Sequence, residues 1–470
     1  MKKAVLTRAD VTSYALSQGM LTMAQSMLTV YFTMFMTDYL KIPALMIGTA
    51  MLAAKTIDFL VNLCAGPIVE KSSMKHGKYV SWLRILRFTL FIGLIILMTD
   101  TTWLIKSPLV RILIVCCGYC LFHGSMDFNI TVRGALIPKM AGANMEDRRR
   151  LTARQTQAGA AATIISSAIT LPIITWFAPK FGESAGYTIT TVLYITGFFI
   201  CCTWFIRRAS RFDPPDPHAA SRKTATIREM AHSIITNRQM IILVFIYTFF
   251  GIGNEIYNGV TAYYFSVVTG NFSMLTVALT CRSIVSFLAS LCVPALGRKI
   301  GKKASLALGM GLSACSLLGI RAFALQNIWF MIICMCLAQS GTYIYRSFGV
   351  NYYLDCGEYG YYKTGVDNRT IAASVMNIPT KVGFAIGGAL TGYGLAWAGY
   401  SGPDMAVTGA FVSRYMTLLG LIPGILMGIS AVMAIICYKL TDQEAAFYAK
   451  ANADRESQAQ GEQRTMAGNN

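Results

Sequence analysis

Lys55, Asp58 and Asn62 interrupt the apolar stretch LAAKTIDFLVNLCAG. Offsets of three and four residues place all three on one face of a helix. An ionisable group deep in a bilayer costs a few kcal/mol or more, so it faces a cavity or a partner. Asp58 is therefore read as a site for a cation or a proton, flanked by Lys55 and Asn62. The plainer reading is a packing ion pair between Lys55 and Asp58. One carboxylate beside an amide makes a poor sodium cage, since that hard ion wants several oxygens. It suffices for a proton, because burial raises the pKa of an aspartate. A proton is the expected occupant, with sodium as the alternative.

Other charges lie in equally apolar surroundings. Asp127 and Arg133 share one window but, six residues apart, not one helical face. Glu255, Arg282 and Arg346 stand in GNEIYNGV, TCRSIVSF and YIYRSFGV, and each either meets a substrate or pairs between helices. Lys381, in IPTKVGFAIGG, either snorkels to an interface or faces a cavity, and its depth in the window favours the cavity. Tyr257, Tyr263, Tyr264, Tyr343 and Tyr345 either stack on a ligand ring or pack. Lys55, Arg133, Arg282, Arg346 and Lys381 outnumber Asp58, Asp127 and Glu255, which predicts an anionic solute. His76 and His123 have no metal spacing around them, and the thirteen cysteines read as small buried residues rather than ligands or a disulfide framework. No nucleophile–base arrangement, phosphate loop or metal cluster stands out. No enzyme activity and no cofactor beyond a coupling proton or sodium ion is expected.

The elements that must hold these groups follow from composition. Of 470 residues, 54% are hydrophobic and 13% charged, about half the usual charged share. Windows able to span a bilayer fall at about 12–37, 44–68, 82–99, 108–138, 152–178, 186–206, 239–268, 273–296, 304–323, 327–354, 370–398 and 409–438. The sequence thus predicts an all-α polytopic membrane protein. The net charge of +19 raises the question of nucleic acid, but the basic residues sit in alternate connections, the positive-inside pattern. Nucleic acid is excluded, and both termini and the central loop are expected in the cytoplasm. Four segments result: a six-helix bundle at 1–206, a linker with a short helix at 207–237, a second bundle at 238–440 and a polar tail, frayed at its end, at 441–470. The helix of the linker is read from Ile227, Met230 and Ile234. A faint repeat links GPIVEKSSMKHGKY after the second window to LGRKIGKK after the eighth.

Three stretches resemble the glycoside-pentoside-hexuronide:cation symporters, the melibiose permease family of the major facilitator superfamily. In the stretch from TDYLKIPALM to GKYVSW, Lys55, Asp58, Gly66, Glu70, Gly77, Lys78, Tyr79 and Trp82 fit the family pattern. GALIPKMAGANMEDRRRLTARQ is similar to the end of its fourth helix and the loop behind it. In LDCGEYGYYKTG and the helix that follows, Glu358, Gly360, Lys363, Thr364 and Gly365 fit its loop, and Lys381 falls on its eleventh-helix lysine. Three departures stand out. Asn62 occupies the place of a second cation-site aspartate, and Thr22 that of a first-helix aspartate that contacts sugar. Val132 and Arg133 replace a Pro-aromatic pair.

The resemblance implies a twelve-transmembrane-helix major facilitator fold of two six-helix bundles. It implies cation-coupled uptake of a glycoside, pentoside or hexuronide by alternating access. Asp58, Asn62 and Lys55 would couple the cation. Thr22, Asp127, Arg133, Tyr257, Arg282, Arg346 and Lys381 would meet the solute, with Lys381 also neutralising Asp58. Glu70, Gly77, Lys78, Glu358 and Lys363 would brace the gating loops. The expected partners are a small solute, a monovalent cation and the lipid bilayer, with the chain a monomer in the cytoplasmic membrane of a bacterium. Two rival readings are transport of an amphipathic non-sugar such as a lysolipid, and a non-transporting sensor on a transporter scaffold.

Overall fold

The computed structural model describes residues 6–72, 74, 77–141, 145–214, 235–365, 375–403 and 405–468. The linker helix read through Ile227, Met230 and Ile234 lies outside them, as does His76. All regular structure among the described residues is helical. In chain order the helices are α1 (Arg8–Val30), α2 (Ala44–Lys71), α3 (Lys78–Leu97), α4 (Pro108–Ala141), α5 (Met145–Phe181) and α6 (Glu183–Ala209). After the linker come α7 (Arg238–Tyr263), α8 (Met274–Phe323), α9 (Ile328–Arg346) and α10 (Gly349–Thr364). The last are α11 (Asn377–Ala398), α12 (Gly409–Met416), α13 (Ile422–Ile436) and α14 (Asp442–Gly468).

Ten helical segments among the described residues are long and apolar enough to cross a membrane. The first and eleventh windows also form helices, α1 and α11, without belonging to those ten. Polar residues account for this: Asp10, Gln18 and Gln25 on α1, and Asn377, Thr380 and Lys381 on α11. Arg148, Arg149 and Arg150, expected in a connection, lie in the first turns of α5, which starts at Met145.

Contacts divide the chain into two units. The first holds residues 1–224, 255–284 and 385–419, and the second holds 225–254, 285–384 and 420–470. Within the first, α1 packs on α5 and α6, α3 on α4 and α6, and α2 on α4. Where α1 begins, the Asp10 carboxylate is wholly buried. It accepts from Thr7 N at 2.8 Å and from Arg208 Nε at 2.8 Å, and it also meets Arg211. Burial alone would raise the Asp10 pKa, but Thr7, Arg208 and Arg211 together hold it below the usual carboxylate value. In the second unit, α10 packs against α14. The polar tail, expected to fray at its end, forms a helix to Gly468, and the buried Asn452 donates to Glu358 Oε2 at 2.7 Å.

The faint sequence repeat corresponds to a shared local geometry. Gly77, before α3, has φ 88°, and the buried Asp213 after α6 accepts from Tyr79 N at 2.7 Å and Val80 N at 2.9 Å. Lys139 donates to the other Asp213 oxygen at 2.6 Å. In the second unit Gly301 breaks α8 with φ 83°, and Asp442 after α13 accepts from Lys302 N at 3.0 Å. Lys302 also pairs with Asp355. In each unit a carboxylate from a later helix end satisfies backbone N–H groups that a helix start leaves open. The two glycines differ in what a side chain would meet. A Cβ on Gly77 would lie 2.0 Å from the Asp213 backbone oxygen, whereas on Gly301 it meets the Asp442 carboxylate at 2.9 Å. Gly77→Ala should therefore lower the thermal unfolding midpoint clearly more than Gly301→Ala. The second change carries only backbone strain of roughly 1–3 kcal/mol. Equal shifts would show that the approach to Asp213 is not what Gly77 serves.

Candidate functional site

Midway along α2 the 28-residue helix turns Lys55 and Asp58 inward, 8% and 4% exposed. Lys55 Nζ forms a salt bridge with Glu255 of α7. The sequence left open whether Glu255 meets a substrate or pairs between helices; the structure gives it an inter-helix partner. A tertiary contact 200 residues long in sequence decided this, and no local spacing encodes it. Gly388 of α11 makes room for the ammonium, since a Cβ there would lie 2.5 Å from Nζ.

Tyr119 of α4 is buried within electrostatic range of Asp58, Glu255 and Asp127, and its ring stacks on His123 at 4.1 Å. Asp127 is buried on the same helix. On α7, one turn beyond Glu255, Asn258 accepts from Arg282 Nη1 of α8 at 3.2 Å. The neighbouring Ser283 shares a 2.8 Å hydrogen bond with Ser167 of α5. Lys55, Asp58, Asp127, Glu255 and Arg282 thus belong to one polar layer of the first unit, contributed by α2, α4, α7 and α8. Tyr257, on α7 between Glu255 and Asn258, is 3% exposed. Such a layer can bind hydroxyl-rich or charged solutes and can take up a proton.

Within the first unit, Arg133 and Thr22 have partners of their own. Arg133 donates to Asn129 Oδ1 at 2.6 Å and to Ser17 Oγ at 3.0 Å, and its guanidinium lies over the Tyr14 and Phe205 rings. Those partners lie on α1, α4 and α6, so Arg133 fastens three helices together. The Thr22 hydroxyl turns back onto Gln18 O of its own helix. Asn62 is half-buried, one turn beyond Asp58. Lys381 is half-buried and Arg346 exposed, both in the second unit. Tyr263, Tyr264 and Tyr345 are packed inside their units. Of the gating-loop residues, Gly77 has the role described above, and Lys78 starts α3 over the Tyr79 ring. Glu358 holds α14, and Lys363 is exposed in the last turn of α10. Glu70 lies in the last turn of α2, and its side chain is outside the described residues.

Sequence reading missed Tyr119, Gly388 and a clasp at one end of the first unit. The last turn before Leu40 is a π-helical segment, Phe35–Tyr39, and α7 ends in another, Tyr264–Val268. Thr37 shares a 2.8 Å hydrogen bond with Tyr263, and the buried Asp38 accepts from Tyr400 at 2.6 Å. Beside them, Thr49 meets Tyr393 at 2.9 Å. The available signals were weak: an aspartate closing the apolar run of the first window, and Tyr119 four residues before His123. Burial, and then the adjacent Asp38 charge, push the Tyr400 hydroxyl well above its ordinary pKa, so it remains a donor.

Residues 13–442 match the model of the family described as MFS/sugar transport protein. The chain belongs to that family. It is a multi-pass membrane transporter, not an enzyme, and the all-α major facilitator fold expected from its sequence is the fold it has. Among relatives it is similar to the isoprimeverose transporter of Lactiplantibacillus pentosus, 24% identical over 91% of this chain and 88% of the relative. It is also similar to the glucuronide carrier protein homolog of Escherichia coli (strain K12), 23% identical over 93% and 94%. The crystal structure of the nucleoside transporter NupG shares the fold, with a TM-score of 0.60 at 14% identity over 91% of this chain and 98% of that one.

The clasp yields a test. Tyr400→Phe deprives a buried carboxylate of a donor and should cost about 2 kcal/mol, against about 1 for Tyr263→Phe at a neutral hydroxyl pair. Thermal unfolding of the two purified variants measures this. If Tyr400→Phe matches wild type, Asp38 does not depend on that bond.

Proposed function

We propose that this MFS protein is a sugar-type symporter that takes up a glycoside, pentoside or hexuronide with a proton, by alternating access. The observation that carries the reading is the set of buried charges in the first unit: Asp58 and Asp127, each 4% exposed, and Lys55, 8% exposed and paired with Glu255. A transporter needs at mid-membrane depth a group whose charge changes with the bound ion, and a buried carboxylate is such a group. Asp58 carries the proton because it is 4% exposed and the neighbouring position of the stripe holds Asn62 rather than a second acid. Sodium would want more oxygen ligands than that stripe supplies. Arg282, which donates to Asn258, brings a guanidinium close to this layer, and a cation there favours an anionic sugar. A relative named for glucuronide supports the same class. The basic connections favour a bacterial cytoplasmic membrane with both termini inside the cell.

Proteoliposomes with imposed proton or sodium gradients test this reading. Wild type should accumulate a sugar under an inward proton gradient, and Asp58→Asn should lose accumulation while still exchanging solute across the membrane. Gradient-driven accumulation that persists in Asp58→Asn would remove that residue from coupling. Accumulation driven by sodium alone would make sodium the ion. Competition by neutral galactosides without competition by acidic glycosides would rule out an anionic solute.

A further inference from the structure

Glu255 stands where an outside anion would sit. Its carboxylate reaches from α7 to Lys55 Nζ on α2, and α11 presents a glycine at position 388 so that the ammonium fits. The two partners are unequally covered: the Lys55 side chain is 9% exposed and that of Glu255 is 27%. The pair is therefore reached from the Glu255 side. One turn further along the same face of α7, Asn258 holds Arg282, so a second cation flanks the approach. An internal carboxylate on a buried ammonium, open on the carboxylate's side and next to a guanidinium, is the geometry of an anion site filled by its own side chain.

We propose that Lys55 is the binding site for the anionic group of the solute, a carboxylate or sulfonate, and that Glu255 leaves it by taking up a proton. This rests on the anionic-sugar reading above. Two ionised carboxylates cannot share one ammonium at close range without one of them being driven to its neutral form. As the solute's anion approaches, a proton from water adds to a Glu255 oxygen and the contact of that oxygen with Nζ breaks. A new contact then forms between the same ammonium and the solute oxygen. The solute's negative charge is balanced by the proton on Glu255, and any proton carried on Asp58 is additional.

The groups facing this exchange are known element by element. Lys55 and Asp58 come from α2, and Tyr119, Cys120, His123 and Asp127 from α4. Arg282 comes from α8, and α11 contributes the uncharged Gly388. Asp58 is the competing titratable group on the Lys55 face, so the test has to separate the two acids.

The probes are methyl β-glucuronide and its neutral counterpart methyl β-glucoside, bound to the purified full-length protein at several pH values. Calorimetry in buffers of different ionisation enthalpy counts protons taken up per solute bound. Wild type should take up about one proton more with the glucuronide than with the glucoside. Its glucuronide affinity should fall about tenfold more per pH unit than its glucoside affinity across the range in which that extra proton is taken up. Glu255→Gln should lose the extra proton and bind glucuronide about as tightly as wild type does at low pH, while Asp58→Asn keeps it. Lys55→Gln/Glu255→Gln should bind glucoside and not glucuronide. Wild-type glucuronide binding without proton uptake overturns the proposal, and that measurement needs no variant. A glucuronide-specific extra proton that survives in Glu255→Gln overturns it as well. Binding of glucoside alone by wild type would instead refute the anionic-sugar reading beneath it.

Discussion

A charge removed from water has to be met by another charge or by a fan of hydrogen bonds, and within a membrane span the requirement is at its strictest. The described ion pairs follow it. Asp10 meets Arg208 and Arg211, Asp213 meets Lys139, Lys302 meets Asp355, and Lys55 meets Glu255. The first three involve helix ends, where the acid also accepts from backbone or hydroxyl donors or the cation is partly hydrated. Lys55 and Glu255 lie midway along their helices, where water offers less. That difference separates a fastening from a candidate working site. Removing one partner of an end pair weakens a joint, whereas the Lys55–Glu255 pair sits where a change of charge is hardest to compensate.

The same requirement organises the helix ends. Asp213 and Asp442 each accept from backbone N–H groups at the start of an earlier helix, next to a glycine with positive φ. A basic residue joins each carboxylate, so cap and ion pair are one structure. These joints recur in the two units with the same parts in the same chain order, as expected of a duplicated architecture. At another end of the first unit, Thr37, Asp38, Tyr263 and Tyr400 make a clasp whose only charge is a buried carboxylate fed by hydroxyls. Each such bond is modest, so a clasp of this kind can open and close without a large cost.

Much of this was legible in the sequence. The apolar windows located most of the helices, because lipid solvation imposes a length and a composition on any spanning segment; α5 nonetheless begins at Met145, well before its window, and the tenth window runs past the end of α9 at Arg346 into α10. The stripe of Lys55, Asp58 and Asn62 was visible because helical periodicity is local. Arg133 shows the limit of that reasoning. Its burial was foreseeable, but its placement between Tyr14, Ser17 and Phe205 depends on three helices converging, and no spacing along α4 records it. The tail shows a different limit: a polar sequence reads as loose until Asn452 is seen to dock on Glu358.

By itself, the sequence determined that this chain is a bundle of membrane helices carrying a small number of charges at depth. Composition and period are properties of each segment alone. Only the tertiary structure decided which charges face each other: Lys55 with Glu255 200 residues away, Arg282 with Asn258, Asp38 with Tyr400. Pairing energies fall off with distance in space and take no account of distance along the chain. The choice of partner therefore belongs to the packing of helices.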